Sequence, residues 1–372
     1  MTLQKMGFFI TTIWLTACSI ISAPSPNYNG AITAEIKTPA PSPSPSPDIA
    51  ATERLTPQPP PTINFENKEI NCSVYIETRW GAGDGDGDED GVSHTIAFDE
   101  TGNMFIADRP NRQILRYPKG IKIPEEIKIN DSYTLPYGSV TFPWFGMDVS
   151  ESKIYFMFLA RSGNRTVQKV AILSLQGLEE SVIDLEPYYP LDSHLGPSLM
   201  VDRYGGVYVF ITPVGIVHYS SQLQPEFIHL GVSFPYEELI VGWDRILYSY
   251  DNSSDRLTNW GPSNRPSIIH GESFSNIRGI KASSSHTRSL SLRFEGVDDQ
   301  GHFYFSSYWW KDSPLLLRVN PSTMEGEIGE VQNPWMKQNI QFALSPDGAL
   351  YGLTHDWDDS SIQPKIVRCS FE

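Results

Sequence analysis

Residues 96–108 read IAFDETGNMFIAD, and the fold of the chain is decided by this stretch. Two apolar runs of strand length flank an Asp-x-x-Gly turn. Asp99 opens that turn by accepting hydrogen bonds from backbone N–H groups, and Gly102 supplies a position with positive φ. The pattern therefore predicts two antiparallel strands joined by a tight turn.

Weaker copies of this unit recur along the chain. Together with Asp99, the predicted turn residues are Asp148, Asp202, Trp243, Asp298 and Ser345. Successive turn residues are separated by 49, 54, 41, 55 and 47 residues, and each step suits one four-stranded propeller blade. Six copies predict an all-β fold, a six-bladed β-propeller. A seven-bladed ring would need a further blade, which would fall within residues 250–292.

The two ends of the repeat region are predicted to close the ring. Residues 365–371 form a strand that would be third in the last blade, and residues 70–77 precede the first repeat without a blade of their own. Residues 70–77 can then supply the fourth strand, so that no edge stays open at the junction. This places Cys72 and Cys369 on adjacent strands, where an oxidising compartment favours a disulfide. The alternative is two buried free thiols.

Residues 95–117 closely resemble an NHL repeat. The matching features are the D-x-x-G-N turn at Asp99, the following apolar strand that ends in Ala107-Asp108, and the N-R-x-I strand at 111–114. The other five units resemble this repeat only in the turn and its flanking strands. The resemblance implies an NHL-like β-propeller over residues 66–372.

The first residues read as an export signal. Lys5 precedes an apolar run that is too short to span a bilayer, and Leu15-Thr16-Ala17-Cys18 resembles the lipobox of bacterial lipoproteins. The resemblance implies that residues 1–17 are a lipoprotein signal peptide and that Cys18 is lipidated and becomes the mature N-terminus. The alternatives are an ordinary secretory signal with a chance cysteine and an uncleaved anchor.

Residues 18–65 hold the acylated Cys18 and a Pro/Ser-rich tether. Frequent proline fixes φ and removes N–H donors, so this segment is predicted to be disordered and extended. We therefore expect an extracytoplasmic protein of the cell envelope, lipid-anchored in the outer membrane or on the outer face of the cell membrane.

The charge balance narrows the range of partners. There are 28 Lys and Arg residues against 44 Asp and Glu, a formal net charge of −16. Such a surface repels phosphate backbones, which argues against nucleic acid as a partner. The expected partners are the membrane, through the lipid on Cys18, and an unknown surface protein or glycan. We expect a monomer.

Ligands of propellers bind at the mouth of the central channel, on the loops that lead into the innermost strands. The candidate binding residues at these positions are His94, Trp144, His194, Glu237 and Arg293. The histidines share no short spacing of the kind that metal ligands show.

The run Gly83–Gly91 alternates glycine with acidic residues. Asp86, Asp88 and Asp90 match the first half of an EF-hand-type calcium loop, which makes them candidate metal ligands. However, Ala97 stands at the twelfth position, where that loop carries a glutamate. The alternative is a flexible acidic loop without metal. No cofactor is required by the sequence, and Ca²⁺ is the one that this loop suggests.

No catalytic signature is present in the sequence, so no catalytic residue is assigned and enzyme activity is not predicted. We expect a cell-envelope-anchored propeller that acts as a binding or interaction module for a protein or glycan ligand. The alternative is a metal-dependent hydrolase or lactonase of the gluconolactonase type, although the first-strand glutamate motif of that family is missing here.

Overall fold

The structure is a computed structural model. It describes residues 63–77, 96–108, 113–129, 146–150, 152–162, 165–185, 199–211, 215–228, 237–251, 256–266, 272–275, 292–307, 315–331, 342–354 and 365–371. All of them belong to one compact unit that comprises residues 58–372. Within these ranges, no helix has the length and apolar character to cross a membrane.

The described residues form strands joined by turns. In the first half of the chain the strands are β1 (Asn64–Asn67), β2 (Ile70–Glu77), β3 (Ile96–Phe98), β4 (Met104–Asp108), β5 (Gln113–Tyr117), β6 (Glu125–Lys128), β7 (Met147–Ser150), β8 (Lys153–Ser162), β9 (Arg165–Ser174) and β10 (Glu179–Asp184). In the second half they are β11 (Leu199–Val201), β12 (Val207–Ile211), β13 (Gly215–Tyr219), β14 (Pro225–Ile228), β15 (Glu237–Val241), β16 (Ile246–Asp251), β17 (Arg256–Pro262), β18 (Glu272–Ser275), β19 (Leu292–Val297), β20 (Phe303–Ser307), β21 (Leu315–Asn320), β22 (Glu325–Glu330), β23 (Phe342–Leu344), β24 (Leu350–Thr354) and β25 (Lys365–Phe371).

These strands form six sheets, which are the six blades of a β-propeller. Blades 1 to 5 are β3–β6, β7–β10, β11–β14, β15–β18 and β19–β22, and blade 6 combines β23–β25 with β2. The prediction of an all-β, six-bladed propeller is confirmed. The stretch that could have held a seventh blade instead supplies β17 and β18 of blade 4.

Blade 6 closes the ring as expected. Strand β2 runs antiparallel to β25, and Cys72 lies directly opposite Cys369 in this pair. The two cysteines form a disulfide across 297 residues of sequence, which confirms the predicted pairing. The first and last parts of the domain are thus joined by backbone hydrogen bonds and by a covalent bond.

Strand β1 is an addition that the repeat pattern did not predict. It pairs in parallel with β22, so that blade 5 has a fifth strand at its outer edge. Phe65 lies opposite Gly326, and a Cβ atom at Gly326 would stand 2.5 Å from Cε1 of Phe65. A Cβ atom at position 326 would therefore force the Phe65 ring of β1 to move. The strand begins at Asn64, two residues before the expected start of the propeller at residue 66.

Three of the predicted turn aspartates act as the sequence indicates. Oδ1 of Asp99 accepts hydrogen bonds from the backbone N–H groups of Thr101 and Asn103, at 3.0 and 2.9 Å. Asp202 and Asp298 make the same pair of bonds to the residues two and four positions further on. The carboxylate thus satisfies the amides of the turn and fixes where the second strand starts.

Two of the predicted turn residues were placed wrongly. Asp148 lies inside β7, and the chain reverses direction only after Ser150, which pairs with Lys153 of β8. In blade 4 the turn opens one residue before Trp243, at Gly242, whose N–H donates to the carbonyl of Ile246. Both errors occurred where the Asp-x-x-Gly pattern is missing.

The core is divided among the contacts between neighbouring blades. Six clusters of buried apolar residues are found, one for each pair of successive blades around the ring. The largest buried side chains include Tyr155, Phe156, Tyr250, Phe294 and Phe305. Each such side chain contributes about 1.5–3 kcal/mol on burial, so the blades stabilise one another laterally.

Candidate functional site

The first strands of all six blades surround a central cavity of about 210 Å³. Its lining is mainly apolar and includes Ile96, Leu199, Ile240, Phe342 and Leu344. This cavity is the central channel of the propeller. Because every blade contributes to it, its composition cannot be found in any single segment of the sequence.

Three charged side chains line the channel among the described residues: Asp148 of blade 2, Arg203 of blade 3 and Glu295 of blade 5. All three residues are buried. Buried charges are costly unless they are paired or hydrogen-bonded, so their partners indicate what the site can do.

Arg203 and Trp243 form the polar end of the channel. Each follows the first residue of its turn, and the guanidinium of Arg203 lies over the Trp243 ring, 4.1 Å from the centroid. Nη1 of Arg203 donates to the carbonyl of Val149 at 2.7 Å, and the indole N–H of Trp243 donates to the carbonyl of Leu344 at 2.9 Å. Blades 2, 3, 4 and 6 are thus connected by two side chains at the turn end of the channel.

Asp148 connects blades 2 and 3 from within β7. Its Oδ2 accepts a hydrogen bond from the backbone N–H of Val201 at 2.8 Å, and its Oδ1 accepts one from Val149. Oδ1 also stands 3.4 Å from Nη1 of Arg203. Burial raises the pKa of Asp148, and the nearby guanidinium and amides offset this rise only in part.

Glu295 reaches the channel through a β-bulge. Phe294 pairs with Phe305 and Gly296 with Tyr304, so Glu295 is the extra residue in β19. Gly296 has a φ of 143°, a conformation that residues with a Cβ rarely adopt. Bulges of this kind re-aim side chains and are frequent beside functional sites.

The carboxylate of Glu295 is well supported. The hydroxyl of Ser306 donates to Oε1 at 2.5 Å, and Nε of Arg293 stands 3.7 Å from the same oxygen. The side chain of Glu295 is 2% exposed, whereas that of Arg293 is 30% exposed. Arg293 therefore balances the buried charge of Glu295 while keeping part of its own surface in solvent.

The structure describes only some of the residues predicted to bind ligand. Arg293 lies on β19, the innermost strand of blade 5, but it is not among the residues that line the central cavity. Glu237 is the first residue of β15, the innermost strand of blade 4. The remaining predicted residues lie outside the described residues: Cys18, Asp86, Asp88, Asp90, His94, Trp144 and His194.

The sequence did not identify the charged residues of the channel, Asp148, Arg203 and Glu295, as site residues. Arg203 and Trp243 share one signal that was available, because each occupies the position after the first turn residue of its blade. Glu295 carried no such signal, since a bulge adds one residue to the strand and shifts its alternation.

A second, larger depression of about 420 Å³ lies at the outer strands of blade 5, where β1 packs. Two of the side chains that line it, Arg318 and His302, already have acidic partners. Arg318 forms an ion pair with Glu327, and His302 bonds to Asp298 through Nδ1 at 2.9 Å. Because the cationic Arg318 and the imidazole of His302 are already paired, and because every blade contributes to the central channel, the central channel is the stronger candidate site. Within the described part of the chain, no group of three or more His, Cys, Asp or Glu side chains could hold a metal ion.

Neither a protein-family model nor a curated protein sequence matches the chain. Solved structures with a similar fold include a streptogramin B lyase, with a TM-score of 0.44 and 11% identity over 82% of this chain and 98% of that chain. Regucalcin from Agrobacterium tumefaciens, described as a calcium-binding protein, gives a TM-score of 0.45 and 13% identity over 75% and 89% of the two chains. A gluconolactonase from Xanthomonas campestris gives 0.42 and 12% over 75% and 85%. At such identities the similarity concerns the fold alone.

Proposed function

We propose that this protein is a lipid-anchored β-propeller of the cell envelope that acts as a binding module for a surface protein. The lipobox-like sequence before Cys18 and the Pro/Ser-rich segment after it support the anchor and the tether. A propeller of the NHL-like type supplies a rigid scaffold whose loops and rims are free to make contacts.

Exposed aliphatic side chains on two neighbouring blades carry this proposal. Ile121 and Ile123 of blade 1 are 50% and 77% exposed, and Leu178 of blade 2 is 68% exposed. All three lie in the connections between the third and fourth strands of their blades, which stand at the same end of the propeller. Apolar side chains grouped on a surface are typical of protein contacts.

The two connections also adjoin one another. A Cβ atom at Gly177, next to Leu178, would stand 2.8 Å from Cγ2 of Ile127 in β6. The blade 2 connection therefore packs against the outer strand that directly follows Ile121 and Ile123. We call these three exposed residues the rim patch. Because its side chains are aliphatic rather than aromatic, the rim patch favours a protein ligand over a glycan, which usually stacks on aromatic rings.

Photocrosslinking tests the rim patch. A photoreactive residue at position 123 of the membrane-anchored full chain, in intact host cells, is expected to give one discrete protein adduct. Ser322 is the matched control, because it is exposed in the third-to-fourth connection of blade 5 and should give no such adduct. If position 123 gave no discrete adduct, or the same adducts as position 322, the proposal would be overturned.

The anchor is tested separately. Replacement of Cys18 by serine removes the acyl acceptor, so the exported protein should move from the membrane fraction to the soluble fraction. Single acyl chains bind weakly and lipoproteins carry several, so the shift should be nearly complete. Retention of Cys18→Ser in the membrane fraction would argue against lipidation and for an uncleaved anchor.

A metal-dependent lactonase is the second candidate function. Asp148 and Glu295 supply two buried carboxylates to the channel, and carboxylate oxygens are ligands for divalent cations. Metal analysis of the purified chain, with thermal melting before and after EDTA, tests this reading. A stoichiometric divalent ion whose removal lowers the melting temperature would support it. A metal-free protein that is indifferent to EDTA would exclude a metal-dependent reaction.

A further inference from the structure

We propose that the central channel binds one small apolar carboxylate and that Arg203 receives its carboxylate group. This site lies among the innermost strands, whereas the rim patch lies in outer connections of blades 1 and 2. The inference therefore goes beyond the proposed function and does not depend on it.

The donors of Arg203 are incompletely used. Its side chain is 9% exposed, and its guanidinium carries five N–H donors. Both hydrogen bonds from this group leave from Nη1, to Asp148 and to the carbonyl of Val149. Nε is shielded from solvent and has no acceptor, and Nη2 bonds to none of the described residues.

The Nε of Arg203 is a buried donor without a partner. Each buried donor without a partner costs about 1–3 kcal/mol, so such groups are normally paired. The Nε and Nη2 atoms lie on one edge of the planar group, and this edge matches the two oxygens of a carboxylate. The chemistry of these unpaired donors therefore points to an anionic oxygen ligand.

The backbone at Arg203 gives an independent indication. Its φ is 63°, the left-handed region, which is disfavoured for a residue with a long side chain. The corresponding residues of the other turns that open a blade, Glu100, Trp243, Asp299 and Pro346, do not have positive φ. Strain of about 1–3 kcal/mol is found mainly at functional sites. Ser152 and Arg245 also have positive φ in the turns of blades 2 and 4, but of these three residues only Arg203 lines the channel.

The charge of Arg203 is only partly compensated. Asp148 uses both of its oxygens on backbone N–H groups, and its Oδ1 lies 3.4 Å from Nη1, which is long for a hydrogen bond. Burial also raises the pKa of Asp148, and the negative charge of Glu100 adds to the rise. The other acidic group of the channel, Glu295, has its own cation in Arg293. An anionic ligand at Arg203 would compensate the rest of its positive charge.

The rest of the cavity defines the body of the ligand. Aliphatic and aromatic side chains from several blades, among them Leu199, Ile240 and Phe342, form most of the wall. A volume of about 210 Å³ is below the usual range for drug-sized ligands, about 300–1,000 Å³. The site thus fits a small molecule with one carboxylate and an apolar remainder, such as a short fatty acid or a monocyclic aromatic acid.

Calorimetry and thermal melting with defined probes test this inference. The purified full chain is titrated with hexanoate and benzoate, and with the neutral analogues hexanamide and benzamide. At least one carboxylate should bind with a stoichiometry of one and raise the melting temperature. Its amide should bind at least tenfold more weakly, because it lacks the charge that Arg203 compensates.

Two variants then locate the site. Arg203→Gln should weaken carboxylate binding at least tenfold, whereas Arg265→Gln, an exposed arginine in a turn of blade 4, should leave it unchanged. If Arg203→Gln fails to fold, Ala343→Phe decides the question, since it fills the channel and leaves Arg203 in place. The inference is overturned if neither carboxylate binds saturably, if the amides bind equally well, or if a folded channel variant retains full affinity.

Discussion

At the scale of single residues, Asp298 shows how one side chain holds a turn and its neighbours together. Its Oδ1 accepts from the backbone N–H groups of Gln300 and His302, and its Oδ2 accepts from the hydroxyl of Tyr304 at 3.0 Å. Burial and the adjacent carboxylate raise the pKa of Tyr304, so that hydroxyl stays protonated and remains a donor. We expect Asp298→Ala to lower the free energy of unfolding by about 2–4 kcal/mol, because several donors lose their acceptor.

Urea denaturation measures this effect against a neighbouring control. Asp299 follows in the same turn, but its side chain is exposed. Asp299→Ala should change the free energy of unfolding by no more than about 0.5 kcal/mol. Equal losses in the two variants would mean that the hydrogen bonds of Asp298 do not stabilise the domain.

Single residues also mark how far the sequence could predict the structure. Asp99, Asp202 and Asp298 were recognised because each carboxylate caps a turn through hydrogen bonds that form within five consecutive residues. Asp148 was assigned to a turn wrongly, since a two-residue hairpin with Ser152 at a φ of 65° replaces the Asp-x-x-Gly pattern in blade 2. Arg203 was not recognised as a channel residue, because its position after the turn aspartate was the only local signal and its contacts come from blades 2 and 4.

At the scale of elements, β1 depends on the absence of a side chain in β22. Gly326 faces Phe65, and an added Cβ would stand 2.5 and 2.7 Å from two ring carbons. We expect Gly326→Ala to displace β1, to lower the free energy of unfolding by about 1–3 kcal/mol, and to speed amide exchange at Asn64–Asn67. In a Phe65→Ala background, the same substitution should cost much less, because the clash is gone. An equal cost in both backgrounds would show that the ring does not impose the glycine.

The closing disulfide acts on the pair β2 and β25. Its cysteines are 297 residues apart in sequence, so reduction releases a very long loop in the unfolded chain. The chain-entropy model gives a loss of about 4–6 kcal/mol for the double variant Cys72→Ser, Cys369→Ser. Urea denaturation of the oxidised protein, with and without dithiothreitol, checks this value, and the double variant is the control that dithiothreitol should not affect. A loss below about 1 kcal/mol would mean that strand pairing alone closes the ring.

At the scale of the whole molecule, the ring could be predicted from repeat spacing, whereas the channel could not. The spacing counts blades, because each blade is a local unit of four consecutive strands. The channel is assembled from six first strands, which meet only once the ring has closed. Blade 6 itself combines the two ends of the domain, because β2 pairs with β25 at its outer edge while β23 lines the channel.

Removal of β2 should therefore open the ring. A chain that lacks residues 1–77 exposes the backbone edge of β25, and unpaired strand edges associate with one another. We expect this truncation to form dimers or larger species in light scattering coupled to size-exclusion chromatography. A chain that lacks only residues 1–69 keeps β2 and should stay monomeric. Both chains carry Cys369→Ser, and the longer one also Cys72→Ser, so that disulfides play no part.

A circularly permuted chain shows whether the ring needs β2 at its native position in the sequence or only needs β2 to be present. Ile70 lies opposite Phe371, so β2 starts where β25 ends, and a short hairpin loop after residue 372 can lead directly into residues 70–77. Moving this strand to the C-terminus should restore the monomer, because the same backbone hydrogen bonds form across the same register. If the permuted chain associated as strongly as the truncated one, the pairing of β2 with β25 would not be what closes the ring. Closure would then depend on the chain connection that leads from β1 on blade 5 into β2.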